Sequence, residues 1–220
     1  MTGAAPDTAR ARLEVCVDSA AGARAAALGA DRLELCARLE VGGLTPETDL
    51  LRSLTDEGTV PVFAMIRPRP GDFVYSPKEL AAMEASIDAA RDLGAAGLVL
   101  GTLHPDGSLD AAALERLLRR ADGLPVTFHR AFDGIHRPFE ALEVLLELGV
   151  ARLLTSGDGP RAWEGRDLLR RLVEAAGEEL VVMPGGGVRQ DHVLELLAAT
   201  GAREVHSSVV LDLTPTSPPR

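Results

Sequence analysis

Lysine is almost missing from this chain: Lys78 is the only one among 23 basic side chains, the rest being arginine. A phosphate-binding P-loop needs a lysine after its glycines, so that class is excluded. Lys78 itself, in the helix start Ser76-Pro77-Lys78-Glu79, is badly placed for a Schiff base. Long apolar runs are lacking as well. No stretch reaches the roughly 18 residues of a membrane span, and residues 1–12 carry no hydrophobic segment of the signal-peptide kind. Cysteine is limited to Cys16 and Cys36, too few for a disulfide scaffold, and the expected compartment is the cytoplasm, where both thiols stay reduced. Positive charge is also in deficit: 33 acidic against 23 basic residues leave a net charge of -10. That balance argues against nucleic acid or an anionic membrane as a partner. What remains plentiful is apolar side chains, 46% of 220 residues, enough to fill the core of one domain.

Two stretches read almost alike, Leu-Glu-Val-Cys-Val-Asp-Ser at 13–19 and Arg-Leu-Glu-Leu-Cys-Ala at 32–37. Alternation along a strand puts Leu13, Val15 and Val17 on one face and Glu14, Cys16 and Asp18 on the other. The second strand divides in the same way, with Leu33 and Leu35 opposite Arg32, Glu34 and Cys36. The alanine-rich 20–29 between them predicts a crossover helix, which makes the two strands parallel neighbours. Six more strands are predicted near 61–67, 97–101, 125–130, 151–157, 180–183 and 203–208. Helices are predicted to about 56 after a Thr45 cap with Pro46 in the first turn, and over 77–93, 109–120, 136–148, 162–176 and 190–200. Eight strands alternating with seven helices predict a closed α/β barrel of the TIM type, (β/α)8, with a doubly wound open sheet second. The expected organisation is a flexible N-terminal segment 1–12, a single barrel domain 13–208 and a C-terminal tail 209–220. The final helix is then missing, and the groove between the last strand and the first is expected to be covered by a second subunit or by the segment before Leu13.

Barrel chemistry gathers at the carboxyl ends of strands, and the unusual residues of this chain fall there. Arg67, Arg69 and Arg130 carry guanidinium forks suited to an anion, or else pair with Glu14, Glu34 and Asp72. Gly185, Gly186 and Gly187 precede a predicted helix, a pattern that holds phosphate in many barrels, although a tight turn also explains it. Ser156 and His206 end the sixth and eighth strands. Glu34 and His129 are the acid–base candidates. Cys16 and Cys36 have a bland reading as small buried hydrophobes. If they share one register on adjacent strands about 4.8 Å apart, they can share an ion or form a disulfide, and two soft thiolates suit Cu(I).

The ordered segments Leu-Glu-Val-Cys-Val-Asp-Ser, Gly-Ala-Asp-Arg-Leu-Glu-Leu-Cys, Gly-Gly-Leu-Thr-Pro, Met-Ile-Arg-Pro-Arg, Gly-Asp-Phe-Val-Tyr-Ser, Thr-Phe-His-Arg-Ala-Phe-Asp, Leu-Thr-Ser-Gly, Met-Pro-Gly-Gly-Gly-Val and Glu-Val-His-Ser-Ser together resemble the CutC family of copper homeostasis proteins, from Leu13 to Ser208. The resemblance implies a cytoplasmic TIM-type barrel that self-associates as a homodimer or larger homo-oligomer. It also implies a Cu(I) site whose cysteines match Cys16 and Cys36. Pro70 stands where the family pattern Arg-Pro-Arg-Gly-Gly-Asp has glycine. The family continues past His-Ser-Ser into a final helix, whereas twelve residues follow Ser208 here. The sequence thus leads to copper homeostasis with Cu(I) as the bound ion. Its rival is an enzyme acting on a small anionic substrate, a phosphorylated one among the options, through the arginines, the glycine loop, Glu34 and His129.

Overall fold

Alternating side chains give each strand two faces, one towards the helices and one towards the barrel interior, and the chain buries both. The computed structural model describes residues 10–214. In it β1 (Arg12–Val17), β2 (Arg32–Leu35), β3 (Val62–Met65), β4 (Gly97–Leu100), β5 (Val126–Phe128), β6 (Arg152–Thr155), β7 (Val181–Pro184) and β8 (Glu204–Ser207) form one parallel sheet. Its order is β7-β6-β5-β4-β3-β2-β1-β8. β8 pairs with β1 and lies beside β7, but no hydrogen-bonded ladder joins β7 to β8 among the described residues. The barrel is therefore nearly closed, with one seam.

Among the described residues seven α-helices, α1 (Ala20–Ala26), α2 (Thr48–Glu57), α3 (Pro77–Asp92), α4 (Ala111–Ala121), α5 (Pro138–Glu147), α6 (Arg166–Ala176) and α7 (Val193–Thr200), surround the sheet. None of the described helices is long and apolar enough to cross a membrane. Leu13, Val15, Val17, Leu33 and Leu35 face these helices in the main core. Inside the barrel a smaller apolar cluster forms from Cys36, Phe63, Met65 and Val99. Gly97, the partner of Phe63 across β3 and β4, leaves room for that ring: a Cβ there would lie 2.4 Å from it.

The start of α3 follows from its sequence. Ser76 accepts from the backbone of Glu79, whose side chain bonds back to Ser76, and Pro77 occupies the first turn, a complete capping box. The start of α2 differs from expectation. It begins at Thr48 after Glu47, which makes no side-chain cap. Thr45 instead joins β3: its Oγ1 accepts the Arg67 N–H at 2.8 Å and its own N–H donates to the Arg67 carbonyl at 2.9 Å. The competing partner was a strand end, which no local pattern reveals.

Of the two expected terminal segments, 1–9 and 215–220 lie outside the described residues. After β8 the backbone packs onto the barrel with Leu211 and Leu213 buried in the main core, a cover not among those expected from the sequence. It is pinned by Gln190, whose Oε1 accepts the Asp212 N–H at 2.7 Å and whose Nε2 donates to the Asp212 carbonyl at 3.0 Å. Leu211→Ala is accordingly expected to destabilise the fold by about 2 to 5 kcal/mol, the usual cost of emptying a buried leucine site. Chemical denaturation reads this directly, and an unchanged midpoint would mean the tail contributes nothing to the core.

Candidate functional site at the barrel mouth

The inward residues of β1, β2 and β8 stack in two layers. In the lower layer Arg32 lies between two carboxylates, with Nε donating to Glu14 at 2.5 Å and Nη2 to Glu204 at 2.8 Å. Arg152 also donates to Glu204, at 2.9 Å. Both guanidinium groups sit over the Phe63 ring, at 4.8 and 5.3 Å from its centre. Salt bridges of this kind seal the barrel below the mouth, and they account for Glu14 as a structural carboxylate.

The upper layer opens into a cavity of about 510 Å³ at the carboxyl ends of the strands. The strand register decides what meets there. Cys16 pairs with Glu34, and Val17 with Leu35, while Glu14 pairs with His206. The two cysteines therefore do not share a register as expected. Cys36 lies one step beyond β2, its N–H bonded to the Val17 carbonyl at 2.9 Å, because the β1–β2 pairing is offset by two residues from the Glu-x-Cys alignment. Both thiols are free. Cys16 is part-exposed and lines the cavity; Cys36 is buried. The Cys36 thiol donates to Glu34 Oε1 at 3.2 Å, and burial together with the Glu34 charge pushes its pKa well above the usual thiol value.

His206 stands between the carboxylates of both layers. Its Nδ1 is 2.8 Å from Glu14 Oε1 and 3.9 Å from Glu34 Oε2. Burial alone would lower its pKa, but Glu34, Cys16 and Glu14 outweigh this and hold it well above 6.5, which favours the imidazolium. Glu14 shows the converse. Burial pushes it up, and the bonds and charges of His206 and Arg32 bring it down to about 2. Burial also raises Glu34, with His206 offsetting only part of that effect. Among the described residues Glu14, Glu34 and His206 form the one cluster whose ligand atoms all lie within 4.8 Å. Those donors are oxygen and nitrogen, and neither cysteine belongs to the cluster.

His129, at the end of β5, is 4% exposed. Its Nδ1 accepts the Ala131 N–H at 3.2 Å, which leaves the hydrogen on Nε2. Burial and the neighbouring Arg67 lower its pKa to about 3, so the ring is neutral. Arg67 ends β3 and spends three hydrogen bonds on loop carbonyls, from Nη1 to Val41 and Gly43 and from Nη2 to Gly71. Phe73 stacks on both, 4.8 Å from the Arg67 guanidinium and 4.7 Å from the His129 ring.

The remaining sequence candidates separate. Arg130, Gly186 and Gly187 line the cavity, with the Arg130 Nε bonded to Asp133 at 2.7 Å. Arg69 turns away. It is engaged by Glu79 at 2.5 Å and Asp72 at 2.8 Å and lies over Tyr75, so its charge is spent on holding the loop before α3. Ser156 is fully buried, its hydroxyl donating to Asp133 at 3.0 Å, and it orders the neighbouring loop. Gly185 packs against Leu154 and His206, where a Cβ would lie 2.4 and 3.3 Å away. The glycine triplet does not open a helix, because α7 begins only at Val193; the helix-terminus argument for phosphate does not apply to it. Phe73 and Arg189 also line the cavity and escaped notice in the sequence. An aromatic in a loop beside two arginines was the available signal for Phe73.

This geometry has relatives. The CutC family's sequence model matches residues 11–211. The chain is 48% identical over 197 residues to the human copper homeostasis protein cutC homolog, covering 89% of this chain and 72% of that one. It is 47% identical over 200 residues to a CutC family protein of Caulobacter vibrioides, covering 90% and 81%. It is similar to a crystal structure of CutC from Streptococcus agalactiae with a TM-score of 0.86 at 34% identity, covering 91% of this chain and 99% of that one. With the whole barrel matched, the chain belongs to the CutC family.

Proposed function

We propose that this chain serves copper homeostasis in the cytoplasm, the role for which its human relative is named, and that it takes up Cu(I) through the thiolates of Cys16 and Cys36. The observation that carries this reading is the placement of both cysteines on or just beyond adjacent parallel strands, on the inward parity, around Glu34: Cys16 pairs with it across the sheet and Cys36 donates to it. Two soft sulfur donors match the ion. Glu34 is placed to receive the proton that Cys36 loses when it binds. The homodimer or larger assembly expected from the sequence belongs to the same proposal, with exposed Leu28, Val209 and Val210 as its apolar surface.

Anaerobic titration with Cu(I) against a competing chelator tests the site. Stoichiometric binding is expected in the wild type and at least about tenfold weaker binding in Cys16→Ser and in Cys36→Ser. Binding is also expected to weaken as pH falls, since the raised Cys36 thiol must be deprotonated to ligate. Full retention by both single variants would refute a shared thiolate site.

A second reading, a site for a small anionic ligand or substrate, is favoured by a separate observation. Glu34 Oε2, Arg67 Nε and His129 Nε2 are buried without hydrogen-bond partners, and all three residues line the one cavity. In an enzyme of this kind Glu34 and His129 would be the groups exchanging protons and hydrogen bonds with the substrate.

A further inference from the structure

Resting on the second reading, that the mouth receives a small anion, we propose that the ligand is a small hydroxylated oxyanion, its anionic head held by Arg67 and His129 and a hydroxyl donated to Glu34. Buried polar atoms in folded proteins are almost always paired, so each exception asks for a partner. Here three exceptions gather along one cavity, from three different strands, on side chains 4 to 5% exposed.

Their polarity defines the ligand. Arg67 Nε is a donor on a permanent cation, left over after its other nitrogens bond Val41, Gly43 and Gly71. His129 Nε2 is a neutral donor, because Nδ1 is occupied as an acceptor by Ala131. A carboxylate or phosphate oxygen answers both. Glu34 Oε2 has the opposite polarity. Its sister oxygen is taken by Cys36, and what it lacks is an O–H from a ligand. An anion without hydrogen, such as sulfate, satisfies the first pair and leaves Glu34 orphaned; a neutral polyol can reach all three atoms through its hydroxyls but brings no charge to Arg67, whose own bonds go to carbonyls. A molecule carrying both groups answers the hydrogen bonds and the charge together. A cavity of about 510 Å³ lies within the range that small-molecule sites occupy. Arg69, whose fork is committed to Glu79 and Asp72, takes no part.

The test is calorimetric titration of the full chain with four probes: sulfate, which has no hydrogen to donate, glycerol, glycerol 3-phosphate and glycerate. Glycerol 3-phosphate or glycerate is expected to bind at least about tenfold tighter than sulfate and than glycerol, and which of the two binds identifies the head group. Glu34→Leu should erase that preference and leave the affinity for sulfate intact. His129→Leu should weaken all the anions alike, and Arg69→Ala should change nothing. The two site variants lie on different strands, and thermal unfolding checks that each is folded. Equal binding of sulfate and glycerol 3-phosphate, both weakened by His129→Leu, would overturn the hydroxyl assignment while leaving the anion reading in place. Binding of none of the four probes would overturn both.

Discussion

Arg32→Met is expected to lower the stability of the fold by about 3 to 5 kcal/mol, the cost of removing one member of a buried ionic network and leaving its partners charged. Arg32 is buried between Glu14 on one side and Glu204 on the other, with the Phe63 ring beneath its guanidinium. Methionine would match its length and keep the contact with Phe63, but would supply no donor. Glu14 retains His206 and Glu204 retains Arg152, so the loss belongs at the lower end of that range. Urea denaturation at neutral pH measures it. A loss below about 1 kcal/mol would mean that the two remaining pairs carry the network alone.

The pH dependence of stability should show a steep acid limb governed by Glu14. Its folded pKa is depressed from 4.5 to about 2, so the stabilisation is complete above pH 4.5 and disappears as pH falls from there towards 2. A shift of that size corresponds to about 3 kcal/mol. Glu204, also lowered by Arg152 and Arg32 against the effect of burial, adds to the same limb. Glu34 works against it, since a carboxyl with a raised folded pKa favours the folded state as protons bind. His206 gives the opposite limb: its folded pKa lies well above 6.5, so its contribution is complete below 6.5 and is lost as pH rises through the folded value. Denaturation midpoints followed from pH 7 to pH 2 for the wild type and Glu14→Gln provide the check. The two curves should converge on the acid side, and parallel curves would remove Glu14 as the cause.

The architecture was legible because it rests on periodicity. Alternation at Leu13, Val15 and Val17 and the near-continuous apolar run at Val62–Met65 state which faces are buried, and eight such runs separated by helical stretches leave few topologies. The convergence of Cys16, Glu34, Arg67, His129 and His206 on one mouth follows from the same rule, since each ends a strand. Register did not follow, because a shift of two residues along β2 leaves every side chain on its predicted face while replacing Cys36 by Glu34 as the neighbour of Cys16. Arg67 and Arg69 look equivalent in Arg-Pro-Arg, yet one points into the cavity and the other is captured by Asp72 and by Glu79 from α3. Burial by the tail was illegible for a similar reason: Leu211 and Leu213 are two leucines in a short segment, too few to declare a periodicity, and only the folded barrel gives them a place.

The seam beside β8 also sets the order in which the molecule can assemble. Neighbouring strands from β1 to β7 meet through connections of one crossover each, so that strip can grow by contacts close in the chain. Among the described residues β8 has no ladder to β7 and is held instead by β1, and the bond between His206 and Glu14 spans 192 residues. Joining the two ends of so long a chain carries a loop-closure cost that earlier contacts do not recover. Ring closure is therefore expected to be the late step of folding, with the charged pair at the mouth completed only when the first strand and the last have found each other.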